Sequence, residues 1–599
     1  MGIKKQREKL IRILSSSPEL TDIFLSKDRL DEKRNNIRMF LYNSLMASFE
    51  DTPSIPSLEW VLMHEVVKVW KSLCSIRNEK LAGHSFVKYI NDILHSDEPE
   101  LLESPAPGFF AEIDYLVKGI TGKTDVYPKK LPAFLKYKGR KAAKYRSMDL
   151  SSMARKAKRK IDSYPCGLSN DAIRKRSLNK ARIMRFFKAT ELEWEKWQWH
   201  SNNIIRDADT LSSLVEISDE EHMAVSLASK HKIAFGITPY YLSLMDNVAG
   251  EKTDAAIRAQ VIPTMHYVKQ LRRQKDGDEW SMDFMLEHDT SPVEGITRRY
   301  PNIVILKPVL TCPQICVYCQ RNWEIEDVYS RSAVLPKDKL DKAMEWIEKT
   351  PEVNEVLITG GDPMLLANKR IEHILSRLSK NPNIIRIRIG TRTPVTLPQR
   401  ITDNLVRAIN RFHIPGRREV VIVTHFEHPY EITPQAMEAV QKFRRYGMEV
   451  YNQLVYTYYN SKKFEAAALR QHLRLIGVTP YYTFNTKGKE ETMEYRVPIP
   501  RLLQEQKEEA RLMPGTVRTD AVVFNVPGLG KNYLDAYQHH DIISILPDGR
   551  RMYEFHPWET KLSLVDTYLY TDVSIYDYLK RLKADGEEMA DYKSIWYYY

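Results

Sequence analysis

Five cysteines occur in this chain of 599 residues: Cys74, Cys166, Cys312, Cys316 and Cys319. So few in so long a chain do not make a disulfide framework. Three of them fall within Thr311-Cys-Pro-Gln-Ile-Cys-Val-Tyr-Cys-Gln-Arg321, spaced C-x3-C-x2-C. Thiolates suit zinc and iron–sulfur clusters. A closed structural zinc site wants four ligands, and no fourth Cys or His lies close by in sequence. A four-iron cluster held by Cys312, Cys316 and Cys319 leaves one iron without a protein ligand. That iron can take a small molecule through its amino and carboxylate groups and pass it an electron. A zinc knuckle or three chance cysteines are the plainer alternatives.

The elements around the triad must hold it. Six β-branched runs recur along the chain: NIVILKPVL, NEVLITG, IIRIRIG, EVVIVTH, EVYNQLVYT and TPYYTFN. Between them lie stretches of helical period, as in KDKLDKAMEWIEKT, where Leu340, Ala343, Met344 and Ile347 share one face. Such alternation predicts a parallel α/β sheet. A polar or glycine-containing motif sits at nearly every run end: the cysteines, then GGDP, GTRTP, HFEHP, Asn452-Gln453 and Asn485 to Lys487. A barrel gathers all its strand ends at one mouth, whereas an open sheet gathers them only at its switch point. The expected fold is therefore a partial barrel of six β/α units.

The remainder is read by texture. Residues 1–127 form an α-helical region, with SLEWVLMHEVVKVWKSL (57–73) as an amphipathic helix whose Met and Trp residues are core. Residues 128–188 form a basic linker or arm, in which the only acids are Asp149, Asp162 and Asp171. Residues 189–300 are a helical lead-in, opened by TELEWEKWQWH as a helix packing onto something large. The barrel occupies 301–490. An α+β extension fills 491–599, with a hairpin around Pro547-Asp548-Gly549. The net charge is +12 and the hydrophobic content 43%. The basic block could meet nucleic acid, but aromatics are not interleaved as on a base-stacking surface, so a solvated arm or an internal anchor is favoured. No apolar run approaches the roughly 20 residues that span a bilayer. The opening MGIKKQREKLIRIL lacks a signal-peptide centre, and Gln6 stands where myristoylation wants Ser or Thr. A cytoplasmic protein without membrane contact is expected.

The cysteine spacing and the six-unit alternation resemble the radical S-adenosylmethionine superfamily. From about Glu191 to Trp558 the chain further resembles the lysine 2,3-aminomutase family, through WEKWQWH, ITPYYLSLMD, SPVEGITRRYP, ITGGDPMLL, IRIGTRTPVTLPQRIT, THFEHPYEIT and PGLGK in that order. The resemblance implies a [4Fe-4S] cluster, S-adenosyl-L-methionine and pyridoxal 5'-phosphate. The implied reaction moves the α-amino group of an amino acid to Cβ. Lys531 matches the lysine that carries pyridoxal phosphate, in a loop one residue shorter than the family's. Arg321 matches the arginine on the substrate carboxylate. Arg299 matches a basic residue near the cofactor phosphate, and Ile303 stands where a second arginine is expected. Gly360, Gly361, Asp362, His425 and Gln453 match contacts with S-adenosylmethionine. Such enzymes imply a small-molecule amino acid as substrate and an electron donor such as flavodoxin or ferredoxin. A homo-oligomer is expected, without cysteine–zinc links, since no cysteine follows Cys319.

Two positions bear on the substrate. The lysine enzymes place two aspartates around the far ammonium of lysine. Here Lys487 and Asn525 match those positions. A cation and a neutral amide suit a carboxylate, and the exchange resembles glutamate 2,3-aminomutases. L-Glutamate going to β-glutamate is expected. The alternatives are L-lysine going to β-lysine, or a radical enzyme that modifies a protein or RNA-associated lysyl group.

Overall fold

The six β-branched runs all form strands, and each lies beside its sequence neighbour. A computed structural model describes residues 3–50, 57–96, 104–127, 132–248, 254–275 and 282–599, apart from 326, 329, 487, 537–539 and 560. The chain divides into two compact units, each assembled from separated stretches.

The larger unit comprises Lys158–Arg496 and Glu509–Lys531. Its sheet opens with the short β1 (Ile296–Thr297), antiparallel to β2 (Ile303–Val309). Parallel pairing then runs through β3 (Glu355–Gly360), β4 (Arg386–Gly390), β5 (Glu419–Thr424), β6 (Val450–Tyr456) and β7 (Thr479–Asn485). The crossovers are the helices Lys337–Glu348, Asn368–Lys380, Asp403–Asn410, Pro434–Arg444 and Glu465–Leu475. The first buries Leu340, Ala343, Met344 and Ile347, the face its period predicts. The sheet does not stop at six parallel strands. β8 (Ala521–Val526) adds a seventh, with Ala521 opposite Tyr482, and β9 (Gly530–Tyr533) follows it. The strand order is linear, so the barrel is partial.

Two local expectations change. TELEWEKWQWH forms two short helices, Glu191–Trp194 and Trp197–Asn202: a capping box of Thr190 and Glu193 starts the first, and the extended Lys196 (ψ 119°) separates the second from it. The basic block splits in character. The helix Gly139–Ile161 is exposed along nearly all its length. The helix Asn170–Phe187 instead anchors within its own unit, through Lys175 to Asp246 at 3.2 Å and Arg176 to the Gly167 carbonyl at 3.3 Å.

The smaller unit gathers Met1–Ala157, Val497–Glu508 and Asn532–Tyr599. The stretch read as one C-terminal extension thus contributes to both units. Helix Ser57–Leu73 is present as expected and buries Met63 and Trp70. The hairpin joins β10 (His540–Ile545) to β11 (Arg551–Phe555), and β12 (Tyr568–Thr571) completes an antiparallel sheet. Its turn residue Gly549 has φ +82°, and a Cβ there would lie 2.4 Å from the Gly108 carbonyl carbon. Beneath the sheet, Arg551 grips Glu112 through two nitrogens, both at 3.0 Å, and donates to the Trp596 and Tyr598 carbonyls at 2.7 Å.

Candidate active site

The cysteine loop leaves β2 and is pinned from several sides. The Leu310 amide donates to Ala333, that of Ile315 to Gly236 and that of Val317 to Gln260. Cys312 and Cys319 pack against Ile204, Ile315, Ile325 and Val328. All three cysteines line one cavity, together with Gln314, Tyr267 and Asn322. Gln314 is 3% exposed, yet neither end of its amide has a partner. A buried amide left unpaired costs about 1–3 kcal/mol, so this lining suits a polar group in the cavity. Burial, the Asp362 carboxylate and the other two thiols all push the Cys312 thiol well up. Thiols crowded in this way ionise readily only against a cationic centre. Among the described residues no three Cys, His, Asp or Glu side chains converge on a single ion. A cluster asks less of them, since each cysteine bonds a separate iron.

Gly360 and Gly361 fix the base of this loop. Gly360 has φ +111°, and a Cβ on Gly361 would lie 2.2 Å from the Thr311 carbonyl oxygen. Only glycine lets the two backbones meet, through Gly361 N–H to Val309 at 2.7 Å and Asp362 N–H to Thr311 at 3.0 Å. The Asp362 carboxylate faces the β4 loop. It accepts from the hydroxyls of Thr391 and Thr393 at 2.7 and 2.9 Å and from the amides of Arg392 and Thr393 at 3.0 and 3.1 Å. It also caps the turn at Met364. Asp362 therefore ties the ends of β3 and β4 together.

That tie positions Arg392, which sequence reasoning did not single out although it lies within GTRTP. Its Nη1 donates to Cys316 Sγ at 2.8 Å, its Nε to the His425 carbonyl at 3.2 Å and its Nη2 to Glu431 at 2.7 Å. Tyr241 also donates to Glu431, at 2.7 Å, and Gln260 accepts from Arg392. The rings of Tyr241 and Tyr318 lie 5.5 and 5.9 Å from the guanidinium carbon. His425 follows β5, and its imidazole is pushed down to about 4 by burial and by Arg392, against a hydrogen bond to the Gln453 backbone. His425 and Gln453, matched from separate strands, thus meet. Beside them burial pushes the Glu427 carboxyl up to about 8, against the pull of Arg392.

Arg321 and Arg299 belong to one charged cluster. Arg321 donates to Glu287 Oε1 at 3.0 Å, and Arg299 lies 3.9 Å from the same oxygen. Lys307 approaches Glu287 Oε2 at 3.3 Å and bonds Glu324. Burial alone would raise the Glu287 carboxyl, but Arg321, Lys307 and Arg299 outweigh it and hold it at about 2. The Nε atoms of Arg299 and Arg321 are buried without hydrogen-bond partners, that of Arg321 lying 3.8 Å from Glu324 Oε2. Three cations thus face two carboxylates with donors to spare, an arrangement open to a further anion. Glu287, Lys307 and Glu324 carried no sequence signal of their own.

Lys531 follows two glycines of positive φ, Gly528 at +69° and Gly530 at +85°. Its Nζ lies 3.8 Å from the Tyr482 ring centroid and 5.9 Å from that of Phe484, both on β7. Burial, with Arg388 adding to it, pushes the ammonium down to about 7. Asn525 is buried on β8. Near the end of the same sheet, Asn485 is 2% exposed and has neither amide atom paired. Lys487 lies outside the described residues. Its neighbour Lys489 is engaged, donating to the Met282 carbonyl at 2.6 Å.

The radical SAM superfamily profile matches residues 306–470. An uncharacterised KamA family protein of Methanocaldococcus jannaschii is 40% identical over 610 residues, spanning 98% of this chain and 97% of its own length. The L-lysine 2,3-aminomutase of Fusobacterium nucleatum is 34% identical over 317 residues, 53% of this chain and 70% of its own. The glutamate 2,3-aminomutase of Clostridioides difficile is likewise 34% identical, over 323 residues, 53% of this chain and 72% of its own.

Proposed function

The chain belongs to the KamA family of radical S-adenosylmethionine proteins, and on that premise we propose that it is a pyridoxal-phosphate-dependent 2,3-aminomutase converting L-glutamate to β-glutamate. The observation that carries this reading is Lys531. An ordinary surface lysine is almost wholly protonated at neutral pH and attacks an aldehyde only through its small unprotonated fraction. Lys531 is desolvated beside Tyr482, and burial pushes its ammonium down to about 7, so it is far more available as a nucleophile than an exposed lysine.

When bound, the cluster with S-adenosylmethionine supplies a carbon radical able to take hydrogen from Cβ, and pyridoxal phosphate supplies the π system through which nitrogen moves. The chain's own residues do the rest. Cys312, Cys316 and Cys319 would hold the cluster. Gly360, Gly361 and Asp362, with His425 and Gln453, would line the S-adenosylmethionine side of the mouth. Arg299, with its free Nε, would serve the cofactor phosphate. The planar fork of Arg321 would orient the substrate carboxylate. Glu287 keeps both guanidiniums in place and must share Arg321 with an arriving carboxylate. A low-potential donor such as flavodoxin or ferredoxin would deliver the electron.

The choice of glutamate rests on residue types. A desolvated ammonium needs anions near it. Lys487 and Asn525 supply none, whereas a cation and an amide can hold a second carboxylate. Anaerobic incubation with glutamate and lysine in separate vessels, each with both cofactors and a reductant, tests this. β-Glutamate is expected. β-Lysine in its place would overturn the assignment of Lys487 and Asn525.

A further inference from the structure

We propose that Arg392 sets the reduction potential of the iron–sulfur cluster by placing a fixed positive charge and a hydrogen bond on the sulfur of Cys316. The proposal rests on the reading that Cys312, Cys316 and Cys319 carry the cluster. Arg392 Nη1 stands 2.8 Å from Cys316 Sγ, within reach of a charge-assisted contact to sulfur. A guanidinium keeps its charge at any working pH. This one cannot swing away, being held by the His425 carbonyl, by Glu431 and between two tyrosine rings.

The direction of the effect follows from electrostatics. An electron added to the cluster increases the negative charge on its sulfurs. The attraction of Arg392 for Cys316 therefore grows on reduction, favours the reduced state and raises the potential. Glu431 works against this, since its carboxylate sits on the same guanidinium. The three cysteines are thus unequal: Cys316 faces the cation, while Cys312 lies near the Asp362 carboxylate. A purely structural tie between the β4 loop and the cysteine loop would use the same contacts but would not predict opposite effects of Arg392 and Glu431.

The test is an anaerobic redox titration of the reconstituted protein, followed by electron paramagnetic resonance, with iron and sulfide content measured alongside. It is run with and without S-adenosylmethionine on wild type, R392Q, R392K and E431Q. The midpoint of R392Q should be more negative than wild type, with R392K between them. That of E431Q should be less negative than wild type. These shifts should all be present without S-adenosylmethionine. If R392Q cannot hold a cluster, the opposite displacements of R392K and E431Q decide the matter. An unmoved midpoint, a shift confined to the S-adenosylmethionine-bound state, or displacement of the arginine and glutamate variants in one direction would overturn the proposal. A wild-type protein that binds neither iron nor sulfide would bring down the cysteine assignment itself, and this proposal with it.

Discussion

Lys531 concentrates the chemistry at the scale of single residues, and its desolvation has a consequence apart from catalysis. An ordinary lysine titrates at 10.5, and Lys531 titrates at about 7 in the folded chain. Between those values the unfolded chain binds the proton and the folded chain does not, so this group makes stability rise with pH across that window. Below about 7 the cost of burying its charge is present in full. K531M should therefore gain stability at pH 6, on the order of a few kcal/mol, and flatten the rise towards pH 9. Urea unfolding of the apoprotein at both pH values measures this, and an undiminished slope in K531M would contradict it. Arg321 gives a second prediction. Replacing its fork with the single ammonium of R321K should raise KM for the amino acid about 10- to 100-fold, reflecting a charge-assisted contact of roughly 1.5–3 kcal/mol. Steady-state kinetics would show it. The cysteines stood out by their spacing and GGDP by its place at a strand end, and the roles expected of GGDP came from the family resemblance. Arg392 and Glu287 did not stand out, because their importance lies in contacts with residues 76 and 34 positions away in the chain.

The strand-end loops are the elements that make the site, and the β3 loop is the least tolerant of them. G361A would drive a methyl into the backbone of Thr311, 2.2 Å away, where no flexible side chain can yield. The cysteine loop should be displaced and iron binding lost, while the crossover helices persist. Iron analysis after reconstitution, with circular dichroism as the control, distinguishes this from global unfolding. The six strands were readable because helices of regular period separate each run from the next. The seventh, β8, was hidden. The segment before it is a broken run, with helix Ile499–Gln504, a wider turn over Glu505–Glu509 and a 3-10 turn at Ala510–Leu512. Without a helical period to announce a crossover, VVFNV looked like part of a tail. The tryptophan-rich segment misled for the opposite reason: its helical period is real, but the extended Lys196 divides it.

Organisation at the scale of the whole molecule was the least legible. No local pattern says that residues before 127 and after 540 build one unit, since that follows from pairings more than 400 positions apart. Arg551 and Glu112 are the buried pair that commits the smaller unit to this arrangement. Breaking such a pair leaves a charge without compensation, at a cost of about 3–5 kcal/mol. R551M should lower the unfolding free energy of the smaller unit by that amount, and hydrogen exchange over Ser57–Leu73 and Pro107–Ile120 should report it. Slower exchange there would contradict the assignment.

In the proposed reaction nitrogen moves within one molecule from Cα to Cβ. The direct measurement is nuclear magnetic resonance of the reconstituted enzyme's product from glutamate carrying 15N at the α position and 13C at Cβ. A new one-bond 13C–15N coupling at Cβ is expected, with the label retained. Label remaining on Cα while S-adenosylmethionine is consumed, or label lost to ammonia, would contradict it.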